Sequence, residues 1–249
     1  MAEQRSGASP RIPAIRDDRV MDYFERTHHG NFWRSRGSQP LMFATRLRTL
    51  KRHAPIGSLL DIGCGEGYFL AAAGRAGWNV TGCDYLPEGV TRTAALIGAA
   101  RVAHADACDL PFPAESFDVA TLWDVIEHLA NPAAAISEAR RVLRPGGLLA
   151  FSTPNTRARS VTLKGSAASQ YQDDTHVSLL SPEVWDGMFT SADLKKIISG
   201  TDAHWDIPYP GARRFDVLAR IVTQIRFATR YTDPALADGE NLVGLWMRP

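Results

Sequence analysis

Three glycines on alternate positions, Gly63, Gly65 and Gly67, separate an apolar run from a pattern typical of a helix start. A chain that leaves a buried strand in so tight a turn needs glycine, because glycine accepts positive φ angles and lets a ligand approach the backbone. An acid, Asp61, lies two residues before the first glycine. This arrangement predicts a site for a nucleotide-like ligand with a carboxylate beside it.

The spacing separates two classes of cofactor. A dinucleotide site has the order G-x-G-x-x-G, and its pyrophosphate lies on a helix N-terminus. Here Tyr68 occupies the position of the last glycine, and the carboxylate of Asp61 would repel pyrophosphate. A cationic amine and a sulfonium would be attracted to that carboxylate, so the pattern favours S-adenosylmethionine. The alternative is a glycine-rich turn that binds no ligand.

Further acids follow at the ends of later predicted strands. Asp84 closes the run NVTGCD, 21 positions after Gly63, where an acid can accept both ribose hydroxyls. Tyr85 can cover the adenine face, while Asp106 and the amide of Ala107 can bind the adenine edge. Taken singly, each acid has a helix cap or a turn as its simpler explanation. Their order after the glycine loop favours one cofactor site.

Four stretches resemble the successive motifs of class I S-adenosylmethionine-dependent methyltransferases. They lie within residues 58–155 and read LLDIGCGEGYFL, CDYLPEGV, HADACDLPFPAESFDVATLWDVIEHLANP and VLRPGGLLAFSTPN. The subgroup they resemble most is the small-molecule enzymes related to ubiquinone-biosynthesis, sugar and natural-product methyltransferases. The resemblance implies an α/β, Rossmann-like, doubly wound fold. Its sheet would be mostly parallel and seven-stranded, with helices on both faces and an antiparallel final strand.

The resemblance also implies roles for residues around the cofactor, whose product would be S-adenosylhomocysteine. The glycine loop would line the methionine end, Asp84 would hold the ribose, and Asp106 with Ala107 would hold the adenine. Arg36, in the segment NFWRSR, would pair with the methionine carboxylate, unless this segment is only a helix–loop anchor. The full predicted cofactor set is Arg36, Asp61, Gly63, Cys64, Gly65, Asp84, Tyr85, Asp106, Ala107 and Asp124.

Methyl transfer from a sulfonium is an in-line displacement, which a protein assists by holding the reacting atoms in line and by excluding water. A general base is needed only where the acceptor is a hydroxyl or a protonated amine. His128, in WDVIEHL after the fourth predicted strand, is the best candidate for that base. Its alternative is a packing or capping role. Asp124 can hydrogen-bond to cofactor or acceptor, and Glu127 can point outward instead.

Three residues are candidates for contact with the acceptor: Trp33, Tyr171 and His176. The last two lie in the polar stretch 155–180, which predicts a long functional loop or a partly ordered lid. A surface-loop position is the alternative for His176, as a structural anchor is for Trp33.

Several acceptor classes are disfavoured. The position of the N/D-P-P-Y/F tetrad of DNA amino-methyltransferases reads WDVI, and the Pro-Cys pair of cytosine-C5 enzymes does not occur. No Asp-Asn pair of the kind that holds the metal of catechol-type enzymes follows the fourth predicted strand. The absences favour a small-molecule acceptor with an oxygen or nitrogen nucleophile and no metal.

Composition sets further bounds. The 249 residues suffice for one large α/β domain, and the net charge of +1 leaves no electrostatic footprint for nucleic acid. The three cysteines are scattered, and no metal-ligand spacing is evident, so the sequence predicts no metal. Neither a secretory signal nor an apolar stretch of membrane-spanning length is present, which makes the cytoplasm the default location.

The sequence predicts a disordered tail over 1–18, a helical cap over 19–55 and a methyltransferase domain over 56–249. The acceptor-side loop 155–180 and a helical insertion over 202–240 lie within that domain.

Local patterns predict individual elements. In the cap, a helix around 40–53 carries an apolar stripe formed by Leu41, Ala44, Leu47 and Leu50. The sequence RPGG predicts a turn before the fifth strand. The last two strands are predicted at 194–201 and 241–248.

A basic amphipathic helix is predicted over 212–231. It either packs on the domain and covers the acceptor pocket, or it contacts a membrane surface or a lipid-linked acceptor. A methyltransferase for a lipid-linked acceptor is therefore an alternative function. A third is a protein that binds S-adenosylmethionine without transferring its methyl group.

Overall fold

A computed structural model of the chain describes residues 39–202 and 239–249. These residues form seven strands: β1 Ser58–Ile62, β2 Asn79–Asp84, β3 Val102–His104, β4 Phe117–Trp123, β5 Leu143–Pro154, β6 Lys195–Thr201 and β7 Asn241–Met247. They also form six α-helices: α1 Gln39–His53, α2 Tyr68–Arg75, α3 Pro87–Ile97, α4 Pro132–Val142, α5 Arg159–Lys164 and α6 Pro182–Ser191. Short 3₁₀ helices add single turns at Ala99–Arg101, Ile126–His128, Gly165–Ala167 and Ser169–Tyr171.

The strands make one sheet in the order β3-β2-β1-β4-β5-β7-β6. Neighbouring strands from β3 to β5 are parallel, whereas β7 is antiparallel to both β5 and β6. The predicted fold class is confirmed, including the antiparallel final strand. The chain order reverses between β1 and β4, and open α/β sheets bind ligands outside the carboxyl ends of the strands at such a point.

Residues on β1 and β4 alternate between two apolar layers. Leu59 and Val119 pack in the layer that contains residues of α1 and α2. Leu60 and Ala120 pack in the layer that contains residues of α4 and α6. Successive strand residues point to opposite faces, so this two-residue period puts helices on both sides of the sheet.

Helix starts carry local signals. Pro87 and Pro132 each begin a helix, at a position where the missing N–H costs no hydrogen bond. The side chain of Asn131 accepts a hydrogen bond from the backbone N–H of Ala134 at 3.2 Å and so caps α4.

The apolar stripe predicted on α1 is wrong for Ala44, which is exposed. Leu47 and Leu50 are buried as predicted, and Phe43 and Ala54 pack in the same cluster. A step of three residues turns about 60° less than a full helical turn, so a strict three-residue repeat moves around the helix. The buried face instead follows mixed steps of three and four.

The RPGG turn is also wrong, because these residues lie inside β5. Leu143 pairs with Phe117, and regular pairing resumes between Leu148 and Val119 with a register shift between them. Gly146, at a φ of 79°, accommodates this irregularity.

The stretch 155–180 is not a long loop without secondary structure, since it contains α5 and two 3₁₀ turns. Buried polar groups attach it to the start of β7: Gln170 Nε2 donates to Glu240 Oε2 at 2.6 Å, and the Ser160 hydroxyl donates to the same oxygen. Few apolar residues are needed for this anchoring, which is why the hydrophobic pattern did not indicate it.

The predicted tail and the helix over 212–231 lie outside the described residues. Within the described ranges, no helix has both the length and the apolar character needed to cross a bilayer.

We expect Leu60→Ala to lower the free energy of unfolding by about 2–5 kcal/mol, because Leu60 is fully buried in the central strand and its loss leaves a cavity. Leu96→Ala, on the exposed side of α3, is the matched control and should change it by less than about 0.5 kcal/mol. Urea denaturation measures both. Equal effects of the two substitutions would contradict the assigned core.

Candidate active site

The glycine loop leaves β1 with Gly63, Gly65 and Gly67 all at positive φ, at 74°, 51° and 75°. A Cβ at Gly63 would lie 2.5 Å from Val125 Cγ2, so this position has no room for a side chain. A Cβ at Gly65 would have no atom within 4 Å. The loop is therefore packed against the protein at its first glycine and open at its second, where a ligand can approach.

Asp84, at the end of β2, holds the open part of this loop. Its Oδ2 accepts a hydrogen bond from the Gly65 N–H at 2.7 Å, and its Oδ1 accepts one from the Leu86 N–H at 2.9 Å. Burial raises the pKa of Asp84, although these two amides counteract the shift. Each carboxylate oxygen keeps a second lone pair, so Asp84 suits the ribose role predicted for it.

Asp61 lies under the loop and is buried. Burial raises its pKa to about 7, while the hydrogen bond from Thr121 and the positive charge of Arg46 act in the opposite direction. The Thr121 hydroxyl donates to Asp61 Oδ1 at 2.5 Å. A cation that reached this carboxylate would stabilise its ionised form.

Arg46 is a site residue that the sequence reasoning missed. It is buried, with its guanidinium 4.0 Å from the ring centroid of Trp123. Its Nη2 donates to Ser152 Oγ at 3.1 Å and lies 3.9 Å from Asp124 Oδ2. The sequence did contain an indication of this role. Helical spacing puts residue 46 on the same apolar face as Phe43 and Leu50, where a charged residue is rare unless it is paired.

Asp124 follows β4 at a φ of 55°. Its Oδ1 accepts a hydrogen bond from the Ser152 hydroxyl at 2.8 Å, which places it beside Arg46 at the edge of the sheet. The contact of Asp124 with cofactor or acceptor stays a prediction.

The adenine side is less enclosed. Tyr85 is 44% exposed, and its carbonyl lies 2.7 Å from His104 Nε2. Asp106 Oδ1 accepts a hydrogen bond from the Cys108 N–H at 2.8 Å, as in a turn, and Ala107 is buried. The adenine contacts of these residues stay predictions.

Cys64 belongs to the glycine loop, and its side chain is buried. Its thiol lies 3.5 Å from the Thr93 hydroxyl, and burial raises its pKa, so it is a neutral packing group near pH 7.

His128 ends the 3₁₀ turn after β4. Its Nδ1 lies 2.9 Å from Thr175 Oγ1 and 3.2 Å from the Thr175 carbonyl oxygen. Burial is the main reason that the pKa of His128 is lowered, and His176 adds to it. The imidazole is therefore neutral near pH 7, as a general base must be.

The ring of His176 lies next to that of His128, and their centroids are 4.9 Å apart. Its Nδ1 lies 2.8 Å from the Gln170 carbonyl oxygen. Tyr171, in the same segment, is 43% exposed. The structure thus brings two of the predicted histidines together, while Trp33 and Arg36 lie outside the described residues.

Glu127 does not point outward. It is buried, and its Oε2 accepts a hydrogen bond from the Thr153 hydroxyl at 3.0 Å. Burial, together with the charge of Asp124, raises the pKa of Glu127 well above its usual value. The short helical turn directs its side chain back under the strand ends, which the local sequence did not indicate.

The sequence of this chain is similar to those of known proteins. Residues 32–198, more than half of the chain, match the family model described as a methyltransferase domain. The chain belongs to this methyltransferase family. The resemblance seen in the sequence motifs is thereby confirmed, and S-adenosylmethionine is the cofactor that the family implies.

Curated relatives match this methyltransferase domain over part of their length. A ubiquinone biosynthesis O-methyltransferase of Hydrogenovibrio crunogenus is 31% identical over 55% of this chain and 61% of its own. A demethylmenaquinone methyltransferase of Clavibacter sepedonicus is 35% identical over 55% of this chain and 57% of its own. The chain thus spans less than two thirds of the length of these relatives. An S-adenosylmethionine-dependent methyltransferase of Thermotoga maritima has the same fold, with a TM-score of 0.63 at 17% identity over 92% of this chain and 99% of that one.

The residues of this methyltransferase site fit S-adenosylmethionine on structural grounds. The loop is open at Gly65, and the two buried carboxylates, Asp84 and Asp61, lie beside it with raised pKa values. Asp84 would accept from the ribose, and Asp61 would face the cationic methionine end. Arg46 joins Arg36 as a candidate partner for the methionine carboxylate, because a guanidinium binds carboxylates in pairs of hydrogen bonds.

We expect Asp84→Ala to weaken S-adenosylmethionine binding by about 1–3 kcal/mol, the usual cost of a lost buried hydrogen-bonding partner. Isothermal titration calorimetry measures it. Asp186→Ala, which removes an acid of α6 that pairs with Lys196 of β6, is the control and should leave affinity unchanged. Unchanged affinity of Asp84→Ala would remove Asp84 from the site.

The raised pKa of Asp61 predicts a pH dependence of cofactor affinity. Below pH 7 the carboxyl is mostly protonated, and binding of a cationic amine favours its ionised form, so binding releases a proton. We expect affinity to rise between pH 5.5 and 7, by at most about tenfold per pH unit. Asp61→Asn should show no such rise in the same calorimetric series. An identical pH profile in the two proteins would place the cation away from Asp61.

Proposed function

We propose that this chain is an S-adenosylmethionine-dependent methyltransferase for an oxygen or nitrogen of a small-molecule acceptor, such as a sugar, a phenol or a natural-product intermediate. The observation that carries the proposal is the position of His128. It follows β4, the strand beside β1, and the carboxyl ends of these strands meet at the same edge of the sheet. A neutral imidazole thus lies on the edge that also carries the glycine loop.

The names of the relatives support the acceptor class. The Hydrogenovibrio crunogenus relative is named an O-methyltransferase of ubiquinone biosynthesis, and the other curated relative acts, by its name, on demethylmenaquinone. Both names favour a small-molecule acceptor over a macromolecule. The first favours a hydroxyl as the group that receives the methyl.

Residues of the chain have separate tasks in this reaction. When bound, the cofactor supplies an electrophilic methyl group on a sulfonium. Asp84 and the glycine loop hold the cofactor's position, and His128 Nε2 takes the proton of the acceptor hydroxyl as the oxygen becomes the nucleophile. Thr175 orients the imidazole through its carbonyl and hydroxyl oxygens.

Two alternative functions stay open to experiment. The lipid-linked acceptor rests on the predicted helix 212–231, which lies outside the described residues. The non-catalytic alternative is tested by incubating the protein with methyl-labelled cofactor and panels of phenols, sugars and amines. Label in any acceptor would reject it, and bound cofactor without transfer to any panel would favour it.

We expect His128→Ala to lower kcat by about 10²–10⁴-fold, the range for loss of a general base, with cofactor affinity within about twofold of the unsubstituted protein. His53→Ala, at the end of α1, controls for removal of a histidine. Steady-state kinetics and calorimetry provide the two readouts. Unchanged kcat in His128→Ala would show that His128 does not take the proton.

A further inference from the structure

Glu127, His128 and His176 form a cluster of possible metal ligands. Each offers one ligand atom, and these atoms all lie within 4.8 Å of one another. Glu127 is buried, and the two histidines are mostly buried. The cluster combines the 3₁₀ turn after β4 with the segment before α6, whose Thr175 is 47 residues from His128 along the chain. Sequence spacing alone does not indicate such a set.

Hydrogen bonds direct the lone pairs of both imidazoles into the cluster. His176 Nδ1 faces the carbonyl oxygen of Gln170, which has no proton to give, so Nδ1 donates and Nε2 is the nitrogen that can bind an ion. The Thr175 hydroxyl donates its single proton to Asp173 Oδ1 at 2.5 Å and therefore accepts from His128 Nδ1. The lone pair of His128 is likewise on Nε2. Metal-bound histidines are held by this kind of contact to the other ring nitrogen.

Asp173 offers a fourth possible ligand atom, a carboxylate oxygen. Its Oδ2 lies 3.5 Å from His176 Nε2. Its Oδ1 also accepts from the Thr175 N–H at 2.9 Å, which fixes the orientation of the carboxylate. A carboxylate oxygen at this distance is within reach of an ion bound to His176 Nε2.

We infer that Glu127, His128 and His176, with Asp173 beside them, bind a divalent transition-metal ion such as Zn²⁺. Two imidazoles with carboxylates are a ligand set that such ions prefer, whereas Mg²⁺ and Ca²⁺ prefer oxygen ligands alone. Ligand atoms around tetrahedral Zn²⁺ lie about 3.4 Å apart, so side-chain movements of about 1 Å close the observed cluster around an ion.

The inference goes beyond the proposed function. An ion on His128 would occupy the Nε2 lone pair that takes the acceptor's proton in the metal-free protein. The two uses of His128 exclude each other, so the metal-loaded and metal-free proteins should differ in turnover. The test below measures ion binding, and its outcome does not depend on methyl transfer.

The experiment titrates chelator-treated full-length protein with Co²⁺, whose visible absorption reports inner-sphere nitrogen ligands, and with Zn²⁺ in a calorimeter. We expect one ion per chain in the unsubstituted protein. His176→Gln should weaken binding by at least about tenfold, as loss of a direct ligand does more harm than loss of its supporting contacts. His53→Gln, the matched control, should bind as the unsubstituted protein does.

Cofactor binding and thermal unfolding show whether each variant is folded. If His176→Gln fails to fold, Glu127→Gln, which preserves side-chain size, tests ion binding in its place. Absence of stoichiometric binding in the unsubstituted protein would overturn the inference. So would undiminished binding in the cluster variants, or an equal loss in His53→Gln. Failure of the proposed function would give a different result: the protein would bind the ion, but neither the metal-loaded nor the metal-free protein would transfer a methyl group.

Discussion

Three consecutive residues of the glycine loop are hydrogen-bonded to the end of β2. The carbonyl oxygen of Cys83 accepts from the N–H groups of Gly63 and Cys64 at 2.8 and 3.0 Å, and the Asp84 carboxylate accepts from Gly65 at 2.7 Å. These bonds satisfy amides that the end of β1 would otherwise leave unpaired, while positive φ angles turn the chain toward α2. The cofactor site depends on this connection, because it sets both the open side of the loop and the position of the acid beside it.

Charge is concentrated at the same edge of the sheet. Asp61, Asp84 and Glu127 are buried carboxyls whose pKa values are raised chiefly by desolvation. Arg46 is the buried cation among them and lies near Asp124. Buried charges are costly unless they are paired or protonated. A site with this arrangement is suited to a ligand that carries both a cationic and an anionic group, as the methionine part of S-adenosylmethionine does.

The residues predicted for the cofactor half of the site lie close to one another in the chain. The glycine spacing and Asp61 lie within one turn, and Asp84 lies one β-α-β unit later, so local rules were enough to single these residues out as candidates. Arg46 was missed because the stripe on α1 was assigned with a strict three-residue repeat, which rotated the predicted face toward Ala44. The two histidines were singled out separately, but nothing in their spacing indicated that their rings would lie 4.9 Å apart.

By itself, the sequence determined the doubly wound sheet, the glycine turn after β1 and the class of cofactor. The glycine turn and the cofactor class follow from short-range rules, namely the φ preference of glycine and the charge of a neighbouring acid, whereas the doubly wound sheet is what the resemblance of the motifs implies. Only the tertiary structure decided that Glu127 is buried and that His128, Asp173 and His176 converge. Their convergence requires the segment before α6 to fold back over the end of β4, held by buried hydrogen bonds between groups distant in the chain. Such contacts have no sequence period, so they exist only once the sheet has assembled.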